Sequence, residues 1–141
     1  MDEFIAHNEE ETLQHAEKFA GENSFGLILL RGPLGAGKTT WTRGFARSLG
    51  IEDQVASPSY TLLNVYRSSE KVLFHFDLYR LNSLEEVQDV GLFEILEEGH
   101  PCVVEWSDRV DGLEKWDHSD IEIQPLTDGT RVIRCSLKKN E

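Results

Sequence analysis

Hydrophobic positions divide this chain into short alternating segments. Phe4-Ile5-Ala6 is a brief apolar stretch and predicts a short edge strand. Asn8 with Glu11 three residues on has the form of a capping box, so a helix is expected from there through about Ala20, with Gly21 ending it. Leu27-Ile28-Leu29-Leu30 reads as a buried strand. Trp41 to Leu49 reads as a helix that stops at Gly50, a natural residue just past a helix end. Pro58 opposes helix at Ser57, so Val55 to Ser59 is expected to be a loop. Tyr60 to Tyr66 and Lys71 to Phe76 read as two strands joined by a hairpin turn at Arg67 to Glu70. Ser83 caps a second helical stretch that Gly91 interrupts, with one or two further turns from Leu92 to Glu98. Pro101 to Trp106 is another strand. Ile121 to Gln124 and Arg131 to Leu137 bracket Asp128-Gly129, a strong hairpin signal.

Strand–helix units followed by antiparallel pieces indicate an α/β chain with a mixed, partly antiparallel sheet, not a fully parallel one. The length of 141 residues favours one domain spanning the whole chain. No repeat, low-complexity tract or long linker divides it.

Composition adds a charge argument. The chain carries 14 Lys and Arg against 26 Asp and Glu, a net charge of −12. The excess is uneven, net −3 up to Asn82 and net −9 beyond it. Such a surface repels phosphate backbones, so the bare chain is not expected to grip nucleic acid tightly. The acidity serves either solubility or docking of a basic partner. Cys102 and Cys135 match neither a metal spacing nor a disulfide framework. The acidic start MDEFIAHNEEE does not resemble a signal peptide, and no apolar stretch reaches the roughly 18 residues of a membrane span. A cytoplasmic location away from the membrane is expected.

The chemistry concentrates between the first buried strand and the following helix. Gly32 to Thr39 reads GPLGAGKT, a complete phosphate-binding loop. Strand, glycine-rich turn and helix start together aim several backbone N–H groups at one place, and the helix dipole adds partial positive charge there. A polyphosphate is the expected occupant. Gly35 and Gly37 let the backbone approach the phosphates closely, and Ala36 and Thr40 are expected nucleotide-binding positions beside them. Lys38 is expected to reach the β and γ oxygens and to face solvent without ligand, while the Thr39 hydroxyl can hold Mg²⁺.

Such a loop needs a metal-holding acid at the end of a nearby strand, and two carboxylates qualify. Asp77 follows Val72-Leu73-Phe74-His75-Phe76, and Glu105 follows Pro101-Cys102-Val103-Val104. One can hold the metal and the other can orient an attacking water. His75 shares a strand face with Asp77 and either hydrogen-bonds it or packs as a strand histidine. Arg80 is either a phosphate sensor or a surface ion pair. Trp106 packs in the core, or meets a ligand or partner if the strand ends at Glu105. No guanine-reading Asn-Lys-x-Asp motif occurs, and the arginine-rich lid of a small kinase is missing: only Arg109 lies between Arg80 and Arg131. Arg131 and Arg134 fall in the expected hairpin, away from the usual place of a motor ATPase's arginine finger.

Taken in order, these segments resemble the TsaE family, the small bacterial ATPases required for making threonylcarbamoyladenosine in tRNA. The segments are GPLGAGKTT at Gly32 to Thr40, RGFARSLG at Arg43 to Gly50 and SPSYTLLNVY at Ser57 to Tyr66. HFDLYRL at His75 to Leu81, Gly91-Leu92 and CVVEW at Cys102 to Trp106 complete the set. The resemblance is strong from about Asn8 to Trp106 and weak beyond Ser107. It departs at Pro33, at Ser59 and at the SDR that follows Trp106, none of which removes a phosphate ligand. It implies a P-loop NTPase-like three-layer sandwich that binds ATP or ADP with Mg²⁺. It further implies that Thr39 and Glu105 hold the metal and that Asp77 assists hydrolysis. Ser57 to Thr61 would act as a switch-like segment, and the adenine would lie against His7 to Thr12. The implied partners are TsaB and TsaD, with TsaD performing the transfer and tRNA met only through the complex. The expected activity is a weak, partner-stimulated ATPase in which Lys38, Asp77 and Glu105 carry the chemistry. A small-molecule kinase and a nucleotide-dependent binding module with incidental hydrolysis are the alternatives.

Overall fold

A computed structural model describes residues 2–22, 26–52, 55, 62–79, 81, 84–107, 110 and 112–139. Most of the expected loop at Val55 to Ser59, the start of the strand expected from Tyr60, the Ser83 cap, Arg80 and Arg109 lie outside them.

The first strand, β1 (Asp2–Ala6), leads into helix α1 (Glu9–Glu22) through the expected cap. The Glu11 N–H donates to Asn8 Oδ1 at 2.9 Å. The Glu11 carboxylate accepts from the His7 N–H, one residue earlier than a standard capping box. The helix runs past Gly21 to Glu22. Then come β2 (Leu27–Arg31) and α2 (Lys38–Ser48). Helix α2 starts three residues before Trp41, because the polar Lys-Thr-Thr turn carries no apolar period to announce it. Strands β3 (Leu63–Arg67) and β4 (Val72–Asp77) form the expected hairpin. Short helices α3 (Leu84–Val90) and α4 (Leu92–Glu97) meet at Gly91, which adopts φ 77°. Strand β5 (Cys102–Glu105) ends at its acid. A single 3-10 turn at Leu113–Lys115 precedes β6 (His118–Pro125), which hairpins through Asp128-Gly129 into β7 (Arg131–Lys138).

These strands form one seven-stranded sheet in the order β1-β7-β6-β2-β5-β4-β3. The central four, β6, β2, β5 and β4, are mutually parallel, and both flanks are antiparallel. The sheet is mixed, as the alternation of segments implies. Strand β2 shows why both faces are covered. Ile28 and Leu30 enter the layer built by α1 and α2 with Phe19, Trp41 and Phe45. Leu27 and Leu29 enter the opposite layer with Val87, Leu92, Leu96 and Leu113. Helix, sheet, helix is the three-layer sandwich.

Helices α1 and α2 approach very closely. A Cβ placed on Gly44 in α2 would lie 2.3 Å from the Leu13 carbonyl oxygen of α1. Both cysteines are buried and unpaired, and burial raises both thiols, Cys135 to about 11. Among the described residues, no helix is long and apolar enough to cross a membrane.

Candidate functional site

The parallel strands end together at one rim of the sheet. Register places Leu30 of β2 opposite Glu105 of β5, and Glu105 opposite Asp77 of β4. The glycine-rich loop leaves β2 one residue further on. A cleft of about 640 Å³ opens at this rim. Gly35, Gly37, Lys38, Thr39 and Thr40 form its floor. Asp77, Glu105 and Trp106 bound one side, while Asn8, Glu9, Thr12 and Arg131 bound the other. Of the described residues singled out from sequence, Ala36 and His75 do not line the cleft; Ala36 is fully buried and holds the loop through an N–H bond to the Pro33 carbonyl.

Backbone conformation explains the loop. Gly37 sits at φ 111° as the N-cap of α2, where no side chain caps the helix. The first N–H groups of α2 are therefore left for a ligand in the cleft. At Gly32 a Cβ would meet the Ile123 carbonyl oxygen at 2.5 Å, so the loop leaves the sheet pressed against β6.

Lys38 does not face solvent. Its side chain is 7% exposed and its Nζ lies 3.5 Å from Oε1 of Glu105, itself 4% exposed. The same Nζ stands 4.6 Å over the Trp106 ring, a cation–π distance. The ion pair forms because Glu105 ends β5 directly beside the strand that feeds the loop.

His75 is fully buried and serves Glu105, not Asp77. Its Nε2 lies 2.5 Å from Glu105 Oε2, and its Nδ1 lies 3.1 Å from the Tyr66 hydroxyl. With Glu105 as a carboxylate, Nε2 donates to it and Nδ1 accepts from Tyr66. Intrastrand spacing points His75 along the Asp77 face, but the register of β4 on β5 brings Glu105 closer.

Asp77 accepts the Tyr79 N–H at 3.0 Å and is half-buried. Burial raises its carboxyl above the ordinary range, and neighbouring Glu105 adds to the shift. Trp106 follows with φ 60°, the one positive φ among described non-glycine residues. That reversal ends β5 and turns the indole over the cleft, against Tyr79 at 4.9 Å between ring centroids. Thr40 hydrogen-bonds Glu9 at 3.3 Å, tying α1 to the loop. Ser57 to Thr61, the expected switch segment, lies outside the described residues.

A divalent cation fits the donor set. No group of three His, Cys, Asp or Glu side chains that could hold a metal occurs among the described residues. Thr39, Glu105 and Asp77 offer hard oxygens of the kind Mg²⁺ takes when substrate phosphates and water complete its shell.

Two residues of the site escape sequence reasoning, whereas Asn8, Glu9 and Thr12 at the cleft fall within the expected His7 to Thr12 segment, Glu9 bonding Thr40 and Arg43, the latter at 3.4 Å. Tyr66 enters through His75. Arg131, set aside as a hairpin arginine, places Nη2 3.3 Å from the Gly35 carbonyl oxygen. Only the Asp-Gly turn hinted at that position, by fixing where β7 begins.

This sheet order, with a glycine-rich loop between β2 and α2 and carboxylates at the adjoining strand ends, defines a P-loop NTPase-like α/β protein. The family described as threonylcarbamoyl adenosine biosynthesis protein TsaE matches residues 6–133. The tRNA threonylcarbamoyladenosine biosynthesis protein TsaE of Treponema pallidum is 40% identical over 107 residues, covering 76% of this chain and 78% of that one. The Haemophilus influenzae protein of the same name is 41% identical over 87 residues; the match covers 62% of this chain and 55% of that relative. The crystal structure of Bacillus subtilis YdiB superposes with a TM-score of 0.81 at 31% identity, over 99% of this chain and 86% of that one. The chain belongs to the TsaE family of tRNA threonylcarbamoyladenosine biosynthesis proteins.

Proposed function

We propose that this chain is an Mg²⁺-dependent ATP-binding protein with weak ATPase activity, stimulated by TsaB and TsaD and required with them for threonylcarbamoylation of adenosine in tRNA. The observation that carries the reading is the convergence at one rim. The uncapped start of α2, the buried Lys38 and the carboxylates of Glu105 and Asp77 share a single cleft.

Backbone N–H groups from Gly35 to Thr40 cradle the phosphates, and the Thr39 hydroxyl and Glu105 hold the metal. When bound, Mg²⁺ neutralises phosphate charge and polarises the transferred group. Binding moves the Lys38 ammonium from Glu105 to phosphate oxygens, a charge-for-charge exchange that releases Glu105 Oε1. His75 keeps Glu105 in place through Oε2 during that exchange. Asp77, whose carboxyl burial raises above its ordinary range, accepts a hydrogen bond from the attacking water and orients it. Trp106 covers the nucleotide beside Lys38. Water is the acceptor of the transferred phosphoryl group. The whole chain acts as one nucleotide-binding domain in the cytoplasm. Its net charge of −12 favours contact with tRNA through partners only.

Product analysis of labelled ATP, with and without TsaB and TsaD, tests this. Free phosphate that rises with the partners is expected. A phosphorylated metabolite identifies a kinase instead, and nucleotide binding without products identifies a binding module.

A further inference from the structure

The Glu105 carboxylate ends a hydrogen-bond chain that crosses three strands. On β3, Asn64 Nδ2 donates to the Tyr66 hydroxyl oxygen at 3.4 Å. The hydroxyl turns its own proton to His75 Nδ1 on β4, at 3.1 Å. The other ring nitrogen, Nε2, meets Glu105 Oε2 on β5. An amide N–H at one end only donates and a carboxylate at the other only accepts. The direction of every link between them is therefore fixed.

Register explains why these residues meet. The strands lie side by side in the order β5-β4-β3. His75 is the partner of Asn64 on one side and of Val103 on the other. Tyr66 and Glu105 each stand two residues along from those partners, on the same face of the sheet. That face carries the α1 and α2 layer, to which Tyr66, Leu73 and Val103 belong. Tyr66 is 5% exposed, His75 is fully buried and Glu105 is 3% exposed, so water does not compete for the chain. Neither Asn64, Tyr66 nor His75 lines the cleft.

The two oxygens of Glu105 consequently have separate duties. Oε2 takes the His75 N–H, and Oε1 faces Lys38 Nζ at 3.5 Å. Without the imidazole donor a buried Oε2 loses its partner. The carboxylate would then turn to satisfy both oxygens, and Oε1 would leave its place at the cleft.

We propose that Tyr66 and His75 are positioning residues for Glu105, holding Oε2 so that Oε1 is presented to Lys38 without ligand and to the divalent cation with nucleotide bound. The proposal rests on the reading of Glu105 as the metal ligand. It adds two residues that touch neither nucleotide nor metal and act only through the carboxylate.

The test compares the parent chain with His75→Gln, His75→Leu and Tyr66→Phe. Glutamine offers a side-chain N–H where the imidazole Nε2–H stood, leucine offers none, and phenylalanine removes only the phenol O–H. Nitrogen NMR of the ligand-free chain reads the His75 ring, and thermal unfolding reports the fold. Calorimetry gives nucleotide affinity with Mg²⁺ titrated in and with metal removed by chelator. The NMR is expected to show Nε2 protonated and Nδ1 bare; the opposite tautomer would overturn the proposal. His75→Leu should raise the Mg²⁺ concentration for half-saturation about 10- to 100-fold, as loss of a group that orients a metal ligand does, while metal-free nucleotide affinity stays within about three-fold. His75→Gln should recover most of that loss. Tyr66→Phe should raise the requirement less, by about three- to ten-fold for one neutral hydrogen bond, and broaden the Nε2–H signal. Should His75→Leu fail to fold, the comparison of Tyr66→Phe with the parent decides. A Mg²⁺ requirement unchanged in Tyr66→Phe and His75→Leu would overturn the proposal. Equal losses in His75→Gln and His75→Leu that track lowered melting would overturn it in favour of packing. A parent chain whose nucleotide binding ignores Mg²⁺ sinks the metal reading and this one with it, whereas a Mg²⁺-dependent parent beside unaffected variants sinks this one alone.

Discussion

Lys38 Nζ and Glu105 Oε1 lie 3.5 Å apart at the end of the central strands, each side chain less than a tenth exposed. The pair makes Lys38 structural as well as functional. Lys38→Ala is predicted to abolish nucleotide binding and also to destabilise the ligand-free chain by about 1–3 kcal/mol. The figure falls below the usual cost of breaking a buried pair because His75 still holds Glu105. The double variant Lys38→Ala/Glu105→Gln should regain part of that loss in a denaturant titration. An unfolding midpoint unaffected by Lys38→Ala would show that the pair contributes nothing.

Glu105 and Asp77 are predicted to differ in kind. As the direct metal ligand, Glu105→Gln should weaken Mg²⁺-dependent nucleotide binding. As the water-orienting acid, Asp77→Asn should spare binding and slow turnover by about 10²–10⁴-fold. Titrating Mg²⁺ and nucleotide against each variant distinguishes them. The reverse pattern would exchange the two roles.

Gly44 gives a prediction whose sign runs against helix propensity. Gly to Ala inside a helix ordinarily gains about 1 kcal/mol. Here the added methyl would stand 2.3 Å from the Leu13 carbonyl oxygen and 3.0 Å from the Ala16 Cβ. Gly44→Ala should therefore lower the melting temperature by forcing α1 and α2 apart, with Gly21→Ala, which meets nothing within 4 Å, as the control. A Gly44→Ala variant as stable as the parent would contradict the close crossing.

Stability should also respond to pH through His15. Burial lowers its pKa below the ordinary histidine value of 6.5, and Lys18 adds to the shift. Trp41 donates to its Nδ1 at 3.0 Å, a bond that only the form without a proton there can accept. Between the lowered folded value and 6.5 the unfolded chain binds more protons, so stability rises with pH. It is fully present above 6.5 and is lost as pH falls through the folded value. Melting curves from pH 5 to 7.5 should show this loss in the parent and a flatter profile in His15→Gln; parallel profiles would contradict it.

The legible parts of the structure are local. The Asn8 cap, the Leu27 to Leu30 run and the Asp128-Gly129 hairpin each depend on a few neighbouring residues, and each appears where the pattern places it. The family segments likewise carry the loop and the two strand-end acids. What stayed hidden depends on register between distant strands. The β4–β5 pairing gives His75 to Glu105, and the β6–β7 pairing brings Arg131 back to the rim. Burial of Lys38 needs both the loop and β5, separated by most of the chain's middle. The Trp106 reversal has no sequence signal, since nothing in a tryptophan announces a φ of 60°.

The most direct test of the central claim is a titration of the labelled chain with Mg²⁺-ADP and a non-hydrolysable ATP analogue, followed by amide NMR. The account predicts saturable binding of both, with the largest shifts at Gly35, Gly37, Lys38, Thr39 and Thr40 and at the indole of Trp106. Absence of saturable binding, or shifts centred away from the rim where β2, β5 and β4 end, would contradict it.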